Sequence, residues 1–336
     1  MMTINVRNHT GETVQLANAP LARGGEAEIY AVPQFSKAVV KLYYPAILHE
    51  RGITLHQKID AITGTPDLTP IKTNHRLAWP LFSVFDERDQ WRGYAMSRAS
   101  GVPMTKLAHA MAYKEHFPDL DRKALVNYVL DLLGTVQTLH AGGIRIGDYN
   151  PANFLCDPQS SAVMLIDCDS WQVSAMGQTF LCPVAASDML PPELLGKELR
   201  HISRTLESEY FALAILIFKL LMLGRHPFDV VGGESPVENI RRGYFPYGKG
   251  GGGIPKGSWY NIWSHLPYKI KEAFVRTFKD GSQNPGNRVS VEEWIKIFQI
   301  YQSEMGRGWH DMHVKPAEAK LKEYHGRQSI SQPIVN

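Results

Sequence analysis

Hydrophobic and polar positions follow two different periods in the two parts of the chain. Up to about residue 97, short runs rich in β-branched and aromatic side chains are separated by Gly, Pro or Asn, which is typical of strands. The predicted strands cover residues 14–16, 28–32, 38–43 and 91–96. Residues 46–62 instead carry apolar side chains at helical spacing, which predicts one helix among the strands.

From about residue 104 the period becomes helical. Apolar side chains between Leu125 and Leu139 mark one face of a long amphipathic helix, closed by Gly142-Gly143. Short strands are predicted near residues 154–155 and 163–166, and helices at 209–223, 267–278 and 291–301. Residues 243–259 are predicted to form a Gly-rich surface loop. A strand-rich first part and a helix-rich second part predict an α+β fold with two lobes.

Composition narrows the class of protein. The chain has 336 residues, 44% of them apolar and 21% charged, which is typical of a globular protein with a buried core. The formal net charge is only +3, and Lys and Arg are scattered along the chain, so nothing indicates a nucleic-acid partner.

Cysteine usage and hydropathy bear on the compartment. The three cysteines show no CxxC pairing, which argues against a disulfide framework and a structural zinc site. The first residues lack the order of a signal peptide. The apolar run at residues 211–223 contains Lys219 and is too short to cross a bilayer, so we interpret it as a buried core helix. A cytoplasmic protein without membrane contact is expected.

A glycine-containing turn precedes a strand that ends near a lysine. Gly24 and Gly25 follow Arg23 in the segment LARGGEAEIY, and AVVKLY places Lys41 on a later strand. Glycine lets backbone N–H groups approach phosphate oxygens closely, and a strand lysine can then meet the α- and β-phosphates of a nucleotide. We expect Lys41 to be exposed in a cleft. Alone, the turn is a weak signal, and an ordinary hairpin turn is the favoured interpretation; the order of the later motifs strengthens the nucleotide interpretation.

Two acidic segments follow the long helix at a characteristic spacing. Asp148 precedes Asn153 by five positions, and Asp167 lies in IDCD, 14 residues after Asn153. This arrangement resembles the catalytic loop and the DFG element of protein kinases. The resemblance implies that Asp148 orients the acceptor hydroxyl and takes its proton. It also implies that Asn153 and Asp167 hold Mg²⁺, or alternatively Mn²⁺, for ATP.

Later segments extend the resemblance to about residues 14–303. LPPEL resembles the APE element that closes the activation segment, which here would run from Asp167 to Glu193. ESEYFALAILIFKLLMLGRHPF resembles the long buried helix and the loop after it, and NPGNR ends in Arg288. The resemblance implies an ion pair between Arg288 and Glu193. The chain therefore resembles the bacterial eukaryotic-like Ser/Thr protein kinases. The implied division is a small β-rich N-lobe (1–97), a larger helical C-lobe (98–303) and a polar tail (304–336).

Several positions depart from the common kinase pattern. Asn150, which we include among the candidate catalytic residues, stands where these kinases usually carry a lysine. The histidine and arginine of the catalytic loop are replaced by Ile146 and Gly147, so we expect no arginine there for an activation-segment phosphate. Further departures are Ala22 and Ala27 in the glycine loop, Cys168-Asp169 after Asp167, and Glu209 at the start of the long helix.

The remaining nucleotide contacts follow from the resemblance. A kinase needs a helix carboxylate to hold the strand lysine; Glu50 is the first candidate and Asp60 the second, with a solvated surface acid as the alternative for each. Met96 corresponds to the gatekeeper residue before the hinge, with plain core packing at a strand end as the equal alternative. Ser97, Arg98 and Ala99 correspond to the hinge, whose backbone would bind adenine.

The start LARGGEAEIY, the element DCDSWQV and the loop GRHPF also resemble a divergent bacterial subfamily. Its members are linked to tellurite resistance and operate beside a phosphatase and a von Willebrand-A-type protein, which are therefore implied partners.

An active Ser/Thr protein kinase, with autophosphorylation as a further activity, is the leading interpretation. A nucleotide-binding pseudokinase scaffold is the second, and a small-molecule kinase of the aminoglycoside-phosphotransferase type is the third. The protein substrate is unknown.

Overall fold

The N-terminal part of the chain forms one seven-stranded antiparallel sheet, ordered β2-β1-β6-β7-β5-β4-β3. The computed structural model describes residues 4–248, 253–254 and 257–320. The strands of this sheet are β1 (Ile4–Asn8), β2 (Thr13–Leu16), β3 (Ala22–Arg23), β4 (Ala27–Ala31), β5 (Ala38–Tyr43), β6 (Pro80–Phe85) and β7 (Trp91–Ser97). The four predicted strands are confirmed, whereas β1, β3 and β6 were not predicted.

The two faces of this sheet bury different cores. Successive side chains of a strand point to opposite faces. In β5, Val40 packs with residues of β1 and β2 in a small hydrophobic core that is separate from the main core. Val39 and Tyr43 belong to the main core, which extends into the C-terminal part. Lys41 shares their face, so the alternation in β5 directs this lysine toward the second lobe.

Helix α1 (Pro45–Gly64) follows β5 and confirms the predicted helix, and the short α2 (Thr69–Lys72) comes after it. Proline at the first helical turn fits its start, because the missing N–H would have no partner there. The helix is kinked at Arg51, where φ is −145° and ψ is 16°. Its buried residues, Lys58, Ile59, Ala61 and Ile62, all lie after the kink.

The C-terminal part is mainly helical. Its helices are α3 (Met104–Leu107), α4 (Tyr113–His116), α5 (Arg122–Ala141), α6 (Leu206–Leu221), α7 (Pro236–Arg241), α8 (Ser258–His265), α9 (Tyr268–Val275), α10 (Gly281–Gln283) and α11 (Val291–Gly306). A three-stranded sheet contains β8 (Val102–Pro103), β9 (Phe154–Cys156) and β10 (Val163–Leu165). A hairpin consists of β11 (Val173–Ala175) and β12 (Gln178–Phe180).

Side-chain caps and burial explain the central helices. Asp121 accepts a hydrogen bond from the amide of Ala124 at the start of α5, and Thr205 forms a capping box with Ser208 at the start of α6. Nearly all of α6 is buried, which confirms the core-helix interpretation of residues 211–223. No helix in the described part of the chain combines the length and the apolar character that crossing a bilayer requires.

Three segments of the C-terminal part agree with their sequence-based predictions only in part. The helix predicted at 267–278 is α9 followed by a π-helical turn over Arg276–Asp280. Helix α8 begins inside the Gly-rich segment predicted as a loop, part of which lies outside the described residues. In the predicted tail, residues 307–320 pack on the C-terminal lobe through Val314, whose carbonyl accepts a hydrogen bond from Arg122. Residues 321–336 lie outside the described residues.

Candidate active site

Strand β5 places Lys41 where the two lobes meet. Lys41 lies opposite Ile29 of β4 and Tyr94 of β7. Its Nζ is 2.8 Å from Oδ1 of Asp167, so the structure brings together the strand lysine and the aspartate that the sequence predicts to bind metal. The expectation of an exposed lysine is corrected, because Lys41 is only 7% exposed.

Asp169 is a second carboxylate on Lys41, and it had no role in the sequence interpretation. Its Oδ1 and Oδ2 lie 2.9 and 2.8 Å from Nζ, and it accepts hydrogen bonds from the hydroxyls of Tyr94 and Tyr43. Burial alone would raise the pKa of Asp169, but the Lys41 charge and these hydrogen bonds outweigh it and hold the pKa well below its usual value. Burial would likewise lower the pKa of Lys41, but the charges of Asp169 and Asp167 raise it.

The structure corrects the expectation that Glu50 holds this lysine. Glu50 is exposed and precedes the kink at Arg51, so it lies on the solvent side of α1. The second candidate, Asp60, is also exposed and accepts a hydrogen bond from Ser83 at 2.6 Å. Where helix carboxylates were expected, the segment after Asp167 supplies the lysine partner.

Helix α1 presents a lysine, not a carboxylate, to the C-terminal lobe. Lys58 is buried, and its Nζ donates a hydrogen bond to the carbonyl of Trp171. Burial lowers the pKa of Lys58 to about 8, against the opposing charge of Asp169. Sequence reasoning missed Lys58; the signal was a charged residue directly before the apolar pair Ile59 and Ile62 of the same helix.

The predicted catalytic loop brings Asp148 and Asn153 together. Oδ2 of Asp148 accepts a hydrogen bond from the Asn153 side chain at 3.3 Å, and Oδ1 accepts one from the amide of Ala186 at 3.2 Å. Burial raises the pKa of the Asp148 carboxyl above its ordinary value. The Asn150 side chain instead caps the turn at residues 151–153, by accepting a hydrogen bond from the amide of Ala152 at 3.0 Å.

The candidate metal ligands are adjacent in the fold. The amide of Ile166 donates to the carbonyl of Asn153 at 3.0 Å, which fixes Asn153 beside the residue preceding Asp167. Asp167 has a left-handed backbone, with φ 63° and ψ 35°, a conformation found more often at functional sites than elsewhere in non-glycine residues. Carboxylate and amide oxygens fit Mg²⁺, which is usually bound through one or two carboxylates plus substrate phosphates. Among the described residues, no group of three or more His, Cys, Asp or Glu forms a separate metal site.

Glu209 of α6 holds the backbone of the catalytic loop. This buried carboxylate accepts hydrogen bonds from the amides of Ile146 and Gly147, at 2.8 and 2.9 Å, and from the hydroxyl of Tyr149 at 3.0 Å. Each of these donors would otherwise be buried without a partner. Glutamate at this position therefore fixes the loop that carries Asp148.

The glycine turn is exposed. Gly24 donates its amide to the carbonyl of Ala27 at 2.9 Å, and Gly25 leads into β4. Arg23 forms an ion pair with Glu28 along the turn. Because the Arg23 side chain is exposed, water and salt screen this pair, and it contributes little to stability. The turn between β3 and β4 is therefore open to solvent.

The predicted hinge begins where β7 ends. Met96 is buried opposite Val39, on the face that carries Lys41. The amide of Ser97 donates to Trp79, and the amide of Arg98 donates to Lys37. These two amides are therefore engaged within the N-terminal lobe.

A buried arginine side chain lies beside Gly147. Because Gly147 replaces the arginine of the kinase catalytic loop, no positive charge was expected at this place. Gly147 has φ +72°, and a Cβ there would lie 2.6 Å from Sγ of Cys182 and 3.5 Å from Nε of Arg204. Arg204 is 4% exposed, and within the described residues its side chain donates only a long hydrogen bond, 3.4 Å, to the carbonyl of Val184. Within the described residues its Nε and Nη1 have no hydrogen-bond partner. The cation comes from the segment before α6 instead of from the catalytic loop.

Comparison with known proteins agrees with this geometry. No protein-family model matches the chain. Protein kinase YegI of Escherichia coli K12 is 27% identical over 329 residues, covering 94% of this chain and 49% of the relative. Protein kinase YegI of E. coli O157:H7 is 26% identical over 322 residues, covering 91% and 48%. The chain thus spans about half the length of these curated relatives.

Solved structures establish the fold. A rhoptry kinase from Toxoplasma gondii matches with a TM-score of 0.60 and 14% identity, covering 92% of this chain and 86% of its own. A T. gondii virulence factor described as having a protein-kinase fold and no enzymatic activity matches with the same TM-score and identity, covering 92% and 88%. The chain therefore has an α+β, bilobal kinase-like fold, and its relatives support a bacterial protein kinase.

Proposed function

We propose that the chain is an ATP- and Mg²⁺-dependent protein kinase that phosphorylates Ser or Thr hydroxyls of a protein partner, and its own hydroxyls as a further activity. One observation carries the proposal: Lys41 of the sheet lies 2.8 Å from Asp167, directly beside the loop where Asp148 and Asn153 meet. Phosphoryl transfer needs positioning and charge neutralisation more than covalent chemistry from the protein, and these four groups can supply both.

The proposed reaction assigns each group a task. The acceptor oxygen forms a bond to the γ-phosphorus, the bond from that phosphorus to the oxygen of ADP breaks, and the acceptor proton passes to Asp148. The raised pKa of Asp148 favours its work as a base. Lys41 orients the α- and β-phosphates. When bound by Asn153 and Asp167, Mg²⁺, or Mn²⁺ in its place, would neutralise charge on the phosphate oxygens.

Nucleotide binding completes the site. Because the amide of Gly24 donates to the carbonyl of Ala27, we propose that the glycine turn covers the phosphates through the backbone of Gly25. Because the amides of Ser97 and Arg98 are engaged, we propose Ala99 as the backbone donor to adenine. Met96 would contact the adenine from the end of β7.

A pseudokinase scaffold is the second candidate. Two observations favour it: the Asn150 side chain caps a turn in place of the usual lysine, and the amide of Ala186 occupies one oxygen of Asp148. A small-molecule kinase of the aminoglycoside-phosphotransferase type is the third. The LPPEL segment and its Glu193–Arg288 pair favour a protein substrate over a small molecule, because small-molecule kinases of this type usually lack the LPPEL segment.

The test is incubation of the purified chain with γ-labelled ATP and Mg²⁺ or Mn²⁺. Parallel reactions contain a generic protein acceptor, an aminoglycoside or no acceptor, and each is repeated with Asp167→Asn. We expect label on Ser and Thr of protein, lost in the variant. ATP binding without any transfer would favour the scaffold, and label on the aminoglycoside alone would favour the small-molecule kinase.

The subfamily and setting are also proposals. The resemblance of LARGGEAEIY, DCDSWQV and GRHPF supports the tellurite-resistance-associated group, with a phosphatase and a von Willebrand-A-type protein as partners. A cytoplasmic location is proposed with it. Co-purification of these partners from the native host would test the assignment.

A further inference from the structure

The two carboxylates on Lys41 differ in what else they can reach. The Asp169 side chain is 5% exposed, and contacts with Lys41, Tyr43 and Tyr94 surround it. The Asp167 side chain is 36% exposed and meets Lys41 through Oδ1 alone. A metal ion and nucleotide phosphates arrive through solvent, so Asp167 can bind them. Asp169 could do so only by giving up its buried partners, which is costly.

The sheet arranges the donors around Asp169 in advance. Tyr43 lies two positions after Lys41 in β5, and Tyr94 lies directly opposite Lys41 in β7. Residues at these positions share one face of a sheet. The lysine and both tyrosine hydroxyls therefore converge on Asp169 from strands that are themselves paired.

Helix α1 contributes the opposite charge. Its buried face carries Lys58, which donates to the carbonyl of Trp171, two residues after Asp169. Glu50 is exposed. Compared with a kinase in which a helix carboxylate holds the strand lysine, the charges are exchanged: the helix supplies a cation, and the segment after the metal-binding aspartate supplies the anion.

We propose that Asp169 is the positioning residue that holds Lys41 ready for the ATP phosphates, in place of a helix carboxylate. This inference rests on the proposed function. Because Asp169 follows Asp167 by two residues, ordering of this one segment places the lysine and the metal-binding carboxylate together. A displacement of α1 alone would leave the Lys41–Asp169 contact intact.

The test compares phosphotransfer and ATP binding in matched variants. Asp169→Asn keeps the shape and removes the charge, and we expect kcat/KM to fall by about 30-fold or more. Tyr43→Phe and Tyr94→Phe each remove one hydrogen bond to Asp169 and should lower it by several-fold with the fold retained. Glu50→Gln is the control on α1, with activity within about twofold of wild type.

A double variant separates positioning from a structural effect. If Asp169 acts through Lys41, then Asp169→Asn should have no further effect on transfer in a Lys41→Met background. The inference would be overturned if the activity losses of Lys41→Met and Asp169→Asn multiplied in the double variant. It would also be overturned if Glu50→Gln lost as much activity as Asp169→Asn. If Asp169→Asn does not fold, unchanged activity in both tyrosine variants would overturn it as well.

Failure of the proposed function gives a different result. A folded wild type without phosphotransfer contradicts the kinase activity alone. ATP affinity, measured by thermal shift, then decides the inference: weaker binding in Asp169→Asn but not in Glu50→Gln supports it, and equal binding in all three proteins overturns it.

Discussion

Arg288 and Glu193 form a two-pronged ion pair across 95 positions of sequence, with both nitrogen–oxygen distances at 2.7 Å. The Arg288 side chain is fully buried and also donates to the carbonyls of Gly281 and Glu207. Its guanidinium lies over the ring of Phe211. The pair joins the end of the activation segment to the C-terminal helices, as the resemblance to kinases predicted.

Removal of this carboxylate should destabilise the protein. Glu193→Gln leaves a buried guanidinium without its counter-charge; because Glu193 is partly exposed, we expect a loss of about 2 kcal/mol in the free energy of unfolding. The matched control is Glu272→Gln, which breaks an exposed pair with Lys269 and should cost less than about 0.5 kcal/mol. Denaturant unfolding of the three proteins measures both values. Equal costs would contradict a structural role for the buried pair.

His226 should make stability depend on pH. Burial lowers its pKa from 6.5 to about 4. Nε2 pairs with the carbonyl of Asp188, and Nδ1 accepts the amide of Phe228, an arrangement that only the neutral ring permits. Between pH 6.5 and 4 the unfolded state therefore binds more protons than the folded state, so stability is complete above pH 6.5 and falls as the pH is lowered.

The size of this effect is measurable. The shift corresponds to about 3 kcal/mol lost across the window. Unfolding free energies at several pH values should show a flatter slope for His226→Gln, whereas His49→Gln, at an exposed position of α1, should leave the slope unchanged. Parallel slopes in all three proteins would show that His226 does not titrate as proposed.

Gly147 should resist substitution more strongly than Gly143. Both have positive φ, +72° and +74°, so alanine strains the backbone at either position by about 1 kcal/mol. A Cβ at Gly143 meets nothing within 4 Å, but at Gly147 it would overlap Cys182. We expect Gly147→Ala to be more destabilising by about 1–3 kcal/mol. Equal unfolding free energies for the two variants would show that Cys182 moves aside freely.

Activity should not require phosphorylation of the activation segment. Gln172 and Arg204 exchange two hydrogen bonds, and the β11–β12 hairpin holds the segment without any phosphate. The hydroxyls to be replaced by alanine are Ser170, Ser174, Thr179 and Ser187. We expect the fourfold variant to retain activity within a few-fold toward a protein acceptor. A loss of about a hundredfold, restored by acidic replacements, would contradict this and make Arg204 the phosphate partner.

Sequence spacing predicted those parts of the site that lie on one segment or in a fixed order. Asp148, Asn153 and Asp167 fall on short loops flanking β9 and β10, so their separation along the chain nearly fixes their proximity. The partner of Lys41 depends instead on the kink of α1 and on the pairing of β5 with β7, which no local pattern determines. That is why Glu50 was predicted and Asp169 was missed.

The unpredicted elements have a similar cause. Strand β6 begins with Pro80, which weakens a strand pattern, and it is stabilised by its pairing with β1 and β7. The β11–β12 hairpin is only three residues long on each side, and its buried side chains belong to the main hydrophobic core. Arg204 was not recognised because its proximity to Gly147 arises only in the folded protein.

Phosphotransfer by Asp148→Asn tests the proposed kinase site most directly. This variant keeps the shape of the side chain and removes the proposed base. With γ-labelled ATP, Mg²⁺ and a protein acceptor, we expect its rate to fall by about a hundredfold or more, with ATP affinity and unfolding temperature unchanged. Glu87→Gln, an exposed position in the turn between β6 and β7, is the matched control and should transfer label at the wild-type rate. An Asp148→Asn protein that transfers label as fast as wild type would contradict the proposed kinase site.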